Sequence, residues 1–265
     1  MPFENYETLI VSVSEQIATI TLNRPEVGNA MSPTLASELS DIAIHCDDDN
    51  GIKAVIITGA GRLFCAGGDL KVFAEAGDKA QSLLKTMAGD LHLALSRFAR
   101  MRAPVIAAVN GTAGGAGFSL AMAADLAIAG KSAKFTMAYT NAGLSPDGSS
   151  TFYMPRKIGD RRTRELMLTN RVLNAEEALN WGIVNQIEDD SDVLDAALSL
   201  GKQFTKGPTL ALAAVKTLLN ETFEHGLESQ MELEARSIAA LSATKDGQEG
   251  IHAFLEKRRA NFSGS

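Results

Sequence analysis

An α/β fold with a largely parallel sheet is what this chain predicts, and three observations predict it. Short apolar runs at residues 54–58 and 105–109 read as buried strands, and each leads into a glycine-rich loop. Helix-like stretches alternate with such runs, which is the pattern of β-α units around a parallel sheet. After about Asp192 the strand signals stop and only helical stretches follow.

The elements follow in order. Residues 8–14 and 16–22 alternate or run apolar and should pair as a hairpin around Ser14-Glu15. Ser32-Pro33 supplies a cap and a first-turn proline for a helix running to about Asp47. The run Asp47-Asp48-Asp49 then reads as a solvated turn rather than a metal site. After the first strand and its glycine loop comes a long helix over residues 80–100, ending before Pro104. The second strand and loop open into a helix over 116–124, followed by short strands at 126–129 and 134–137. Residues 191–204, 208–223, 227–241 and 246–260 read as successive helices, with Gly207-Pro208 marking a break. The organisation expected is a core over residues 1–190 and a helical region over 191–265. Helices without a sheet must bury their apolar faces on one another or on another subunit.

Composition narrows the function. The chain has 265 residues, 45% of them hydrophobic, enough for a substantial core. A net charge of −7 without a basic cluster argues against nucleic-acid binding, which needs clustered Lys and Arg. Lys157, Arg161, Arg162 and Arg164 read as a solvated helix face, with a phosphate contact as the alternative. Two cysteines, Cys46 and Cys65, imply neither a disulfide framework nor a zinc site, and Cys65 reads as a small packed residue. The four histidines show no metal-ligand spacing, so no metal is expected. The polar start MPFENYET suggests no leader, and no apolar run reaches the roughly 18 residues that span a bilayer. A cytoplasmic protein without membrane contact is the expectation.

The two glycine loops are Phe64-Cys65-Ala66-Gly67-Gly68-Asp69-Leu70 and Asn110-Gly111-Thr112-Ala113-Gly114-Gly115-Ala116-Gly117. So few side chains let the backbone approach a ligand closely, and a helix N-terminus presents free N–H donors. One N–H from each loop, aimed at the same oxygen, would stabilise an oxyanion such as the enolate of a thioester. The glycines at 111, 114, 115 and 117 do not fit G-x-G-x-x-G, and no G-K-[ST] follows. Dinucleotide and nucleoside-triphosphate readings therefore have little support. The competing reading is that the glycines serve only tight helix–strand packing.

These loops also carry a resemblance. The chain resembles the crotonase superfamily, the enoyl-CoA hydratase/isomerase group, over nearly its whole length. Matching stretches are residues 19–25 (TITLNRP) with Asn29-Ala30, 54–59 (AVIITG), 64–70 (FCAGGDL) and 104–125 (PVIAAVNGTAGGAGFSLAMAAD). They continue at 143–151 (GLSPDGSST), 176–184 (EEALNWGIV) and 249–262 (EGIHAFLEKRRANF). The resemblance implies a spiral of β-β-α turns, an acyl-CoA thioester substrate, and no cofactor beyond that coenzyme A. It further implies a helical tail that builds a homotrimer or a dimer of trimers.

It also implies site residues. The oxyanion donors map onto the backbone N–H groups of Gly68 and Ala116. Hydratases of the family carry two water-holding glutamates, and alignment places Ser119 and Tyr139 there instead. Neither is a ready base near neutral pH. A carboxylate stands close by in the Leu144-Ser145-Pro146-Asp147-Gly148 turn. Pro-Asp-Gly is commonly a surface turn, but isomerases of the family use an aspartate here to carry a proton between acyl carbons. An aryl-CoA dehalogenase branch uses one as a nucleophile, with a histidine and an aromatic residue that map onto His92 and Tyr139. The Met167-Leu168-Thr169-Asn170-Arg171 stretch is similar to that branch too, whereas Trp181 lies far from where its tryptophan would be. Acyl-CoA contacts map onto backbone groups around Ala66, Asp69 and Leu70, and onto Phe254 and Lys257 of the last helix. Lys257-Arg258-Arg259 reads equally well as an ordinary basic helix end.

Overall fold

A computed structural model describes residues 6–265; Met1–Asn5, part of the polar start, lie outside the described residues. β1 (Leu9–Ser14) and β2 (Ile17–Leu22) form the expected hairpin, in a register that pairs Leu9 with Leu22 and Ser14 with Ile17. Its turn sits one residue later than expected, on Glu15 and Gln16 at φ 50° and 67°. In α1 (Pro33–Asp48), Ser32 Oγ accepts from Leu35 N–H at 3.2 Å as the N-cap. Asp47 and Asp48 of the expected aspartate turn are instead the last residues of α1, and only Asp49 lies beyond it, where it accepts from Gly51 N–H at 2.7 Å. No group of side chains suited to a metal occurs among the described residues.

Three β-β-α turns follow. The first contains β3 (Ala54–Gly59), β4 (Leu63–Cys65), α2 (Leu70–Glu75) and α3 (Ala80–Arg100). The second contains β5 (Val105–Val109), β6 (Thr112–Gly114) and α4 (Ala116–Ala123). The third contains β7 (Leu126–Gly130), β8 (Lys134–Thr136) and α5 (Ser150–Ile158). The first strand of each turn joins one sheet and the second joins another. A six-stranded sheet runs β1-β2-β3-β5-β7 and ends on β10 (Gln186–Glu188), while a four-stranded sheet runs β4-β6-β8 and ends on β9 (Leu173–Asn174). β3 and β5 are buried along nearly their full length, as central parallel strands are when both faces are covered.

The short strands β4 and β6 lie inside the two glycine loops, which the sequence showed only as loops. Between β8 and β10 the chain also forms α6 (Asp160–Thr169) and α7 (Ala175–Trp181), besides α5 and β9. Lys157 is exposed, as expected of a solvated face, but its ammonium turns in toward α4. Its Nζ donates to Met122 O at 2.7 Å and Ala124 O at 2.9 Å, closing the C-terminal end of α4. It is therefore not placed to hold a phosphate.

The tail is helical, as expected: α8 (Val193–Thr205), α9 (Thr209–Glu221), α10 (Leu227–Ser242) and α11 (Lys245–Leu255). α8 lies on the large sheet, where Val193 and Ala197 form a second core with Ile17, Ile56, Ile106 and Ile128. α9 is tied to α3 by Lys216, whose Nζ meets Phe98 O at 2.9 Å, Ala103 O at 2.8 Å and Asp125 Oδ2 at 2.8 Å. Burial lowers the pKa of that ammonium, and the Asp125 carboxylate opposes the shift. α11 ends five residues before the expected Ala260, because Arg258 turns back to Glu249 (2.6 Å) and Glu256 (2.6 Å). Lys257 therefore stands beyond the helix at φ 55°, not in a basic last turn. α9, α10 and the segment joining them leave Val215, Leu219, Phe223, Leu227, Met231 and Ile238 exposed. No helix of the described residues is long and apolar enough to cross a membrane.

Candidate active site

The two glycine loops meet. A Cβ added at Gly114 would lie 2.6 Å from Ala66 O, and one at Gly117 would lie 2.4 Å from Cys65 O. The packing role of these glycines is therefore real, and it is what brings the loops side by side. Gly68 bridges to Met31 in a parallel pairing: Met31 N–H donates to Gly67 O (2.7 Å) and Asp69 N–H donates to Met31 O (2.9 Å). Gly68's own N–H faces the opposite way and has no acceptor among the described residues. Ala116 is the first residue of α4, so its N–H has no partner within the helix.

Both residues line a cavity of about 330 Å³, together with Ala66, Leu70, Tyr139 and Asp147. Its walls are mostly apolar and include Met31, Phe73, Leu84, Met87, Leu91 and Leu144, with the exposed Lys85 adding a cation. The sequence reading did not single out these wall residues. The apolar stripe of α3, buried at Met87, Leu91, Leu95 and Phe98, was the signal available.

Asp147 is the one carboxylate among the described residues lining this cavity. Its Oδ1 meets His92 Nε2 of α3 at 2.7 Å, while Oδ2 has no hydrogen-bond partner among the described residues. The side chains are 39% and 52% exposed, so the pair is wetted rather than sealed in the core. His92 itself faces a second cavity, with Ser149 and Tyr153. Tyr139 follows β8 through Ala138 at φ 44°, a conformation uncommon outside glycine. Burial pushes the Tyr139 phenol well above its ordinary pKa, outweighing the hydrogen bond with Ser119, so it stays protonated. Cys65 is buried behind the first loop, and burial pushes its thiol up to about 11, as befits a packed rather than reactive residue.

Not every expected contact residue is here. Asp69 is 7% exposed and turns away from the cavity: Arg24 Nη1 lies 2.9 Å from its Oδ2, and its Oδ1 caps α2 at Val72 N–H (3.4 Å). Its side chain is thus a structural anchor of the loop. Phe254, 83% exposed on α11, and Lys257 are not among the residues lining the cavity.

Two glycine loops whose unpartnered N–H groups border a mostly apolar cavity, on a spiral of β-β-α turns, are the features of a crotonase-type fold. The profile of the enoyl-CoA hydratase/isomerase family matches residues 12–265. The chain belongs to that family, within the crotonase superfamily, and has the crotonase fold. It is 36% identical to the 1,2-epoxyphenylacetyl-CoA isomerase of Escherichia coli (strain K12), over 97% of this chain and 99% of that one. It is 35% identical to the 4-chlorobenzoyl coenzyme A dehalogenase-2 of an Arthrobacter species, over 93% of this chain and 90% of that one. Among solved structures, an enoyl-CoA hydratase from Polaromonas sp. JS666 superposes with a TM-score of 0.92 at 32% identity, covering 96% of this chain and 99% of that one.

Proposed function

We propose that this enzyme moves the double bond of an enoyl-CoA thioester, with Asp147 as the proton shuttle. The observation that carries the reading is the position of Asp147 as the cavity's carboxylate, in the same cavity as the two unpartnered N–H groups. Asp147 takes a proton from C2 of a 3-enoyl-CoA. The electron pair moves onto the thioester oxygen, where the N–H groups of Gly68 and Ala116 receive the charge. The protonated Asp147 then returns the proton to C4, leaving the double bond between C2 and C3. One base of suitable reach suffices for both transfers. Hydration would need a second acid–base group, and Ser119 and Tyr139 spend their hydroxyls on each other and on the Asp147 carbonyl.

A panel of thioesters tests the proposal. The wild type should convert 3-enoyl-CoA to 2-enoyl-CoA faster than it hydrates crotonyl-CoA. Efficient hydration without isomerisation would overturn it. So would thioester binding without turnover, the behaviour of an inactive homologue. The His92–Asp147 contact favours one second reading, in which Asp147 attacks the ring of an aryl-CoA and His92 assists water in releasing the product. Halide release from 4-chlorobenzoyl-CoA on the same panel would select it.

The assembly proposed is a homotrimer or a dimer of trimers, supported by the apolar residues that α9 and α10 leave exposed. Phe254 and Lys257, absent from this chain's own cavity, then act at a neighbour's acyl-CoA site. Light scattering should give the mass of three or six chains, and a clean monomer at micromolar concentration would refute the assembly.

A further inference from the structure

Ser119 is fully buried on α4, one turn after Ala116. Its Oγ lies 2.8 Å from Asp147 O, 3.1 Å from Tyr139 Oη and 3.2 Å from Gly115 O. A serine hydroxyl has one hydrogen to give. The shortest of these contacts assigns it to the Asp147 carbonyl, leaving the Ser119 oxygen to accept from the protonated Tyr139 phenol. Ser150 Oγ of α5 donates to the same carbonyl at 2.9 Å. The main chain of Asp147 is therefore gripped from α4 and α5, while its carboxylate is held from α3 by His92.

The fit around Ser119 is close. A Cβ added at Gly148, which sits at φ 62°, would lie 2.9 Å from Ser119 Cβ. The turn can come this near α4 because residue 148 has no side chain and residue 119 has a small one. A long carboxylate at 119 would push the Asp147 turn away, so Ser119 and Asp147 belong to one arrangement.

We propose that Ser119 is a positioning residue, which through its bond to the Asp147 carbonyl fixes the Asp147 carboxyl relative to the oxyanion donor Ala116 on the same helix. The proposal rests on the reading of Asp147 as the proton shuttle. Base and oxyanion site must keep a separation matched to the substrate, and misplacement of a base slows the chemical step more than it weakens binding.

The test uses the full-length protein and 3-enoyl-CoA, comparing wild type with Ser119→Ala, Ser119→Cys and Asp147→Asn. For Ser119→Ala, kcat should fall about tenfold or more, with KM within about twofold. In deuterium oxide, the share of product carrying solvent deuterium should rise over wild type, because a loosened Asp147 holds the abstracted proton less well. Ser119→Cys keeps the side-chain shape with a weaker donor, and should show an intermediate kcat with normal KM. If Ser119→Ala does not fold, as judged by circular dichroism, the cysteine variant carries the test alone. Wild-type kcat and deuterium content in whichever Ser119 variant folds, with Asp147→Asn inactive, would overturn the positioning role alone. Full activity in Asp147→Asn would instead overturn the shuttle.

Discussion

Asp147→Asn should abolish isomerisation while leaving the thioester bound. The amide has the shape of the carboxyl but cannot take up and return a proton, and loss of a positioned general base typically costs about 10²–10⁴-fold in rate. The carbonyl of residue 147 keeps its bonds from Ser119 and Ser150, so the turn should not move. Calorimetry with acetoacetyl-CoA, an enolate mimic, should therefore give nearly the wild-type affinity. Retained turnover would remove Asp147 from the chemistry without touching the family assignment. Lost binding together with lost turnover would show that the carboxylate holds substrate rather than moving its proton.

Gly68→Val should lose both turnover and enolate-mimic binding. Gly68 does not need a left-handed backbone, so the cost is steric rather than conformational. A Cβ there would lie 2.8 Å and 2.9 Å from two ring atoms of Phe73, a wall of the cavity. A branched side chain must displace that ring or tilt the loop, and either moves the N–H away from the thioester oxygen. Loss of one oxyanion donor typically costs about 2.7–4 kcal/mol, or 10²–10³-fold in kcat. Gly89→Ala, on α3 where nothing lies within 4 Å of the added carbon, is the control expected to change neither. Comparable kcat in Gly68→Val and Gly89→Ala would contradict the oxyanion assignment.

Much of the spiral was legible because its signals are local. The buried runs of β3 and β5, the Ser32-Pro33 start of α1 and the stripe of α3 each follow from residues adjacent in sequence. β4 and β6 were not, since three residues within a glycine loop carry no alternation, and their pairing joins Leu63 to Thr112 across the fold. Between β8 and β10 the sequence showed only a solvated helix face at Lys157, Arg161, Arg162 and Arg164, without element bounds, for a related reason. α5 carries an internal Pro155 and half of α6 is charged, so neither shows an apolar face that stands out.

For the site, the sequence by itself determined the chemistry available: two side-chain-poor loops after strands, an aspartate in a Pro-Asp-Gly turn, and no acid at positions 119 and 139. Only the tertiary structure decided which groups meet. His92 reaches Asp147 across 55 positions, and Ser119 reaches the Asp147 carbonyl across 28. The same packing turned the Asp69 side chain toward Arg24, drew Lys157 onto the end of α4 and left Phe254 outside the cavity. Periodicity and composition report which face of an element is apolar or polar. Which partner that face meets is set by helices and sheets closing over long loops, where hydrogen bonds and close contacts form between residues far apart in sequence.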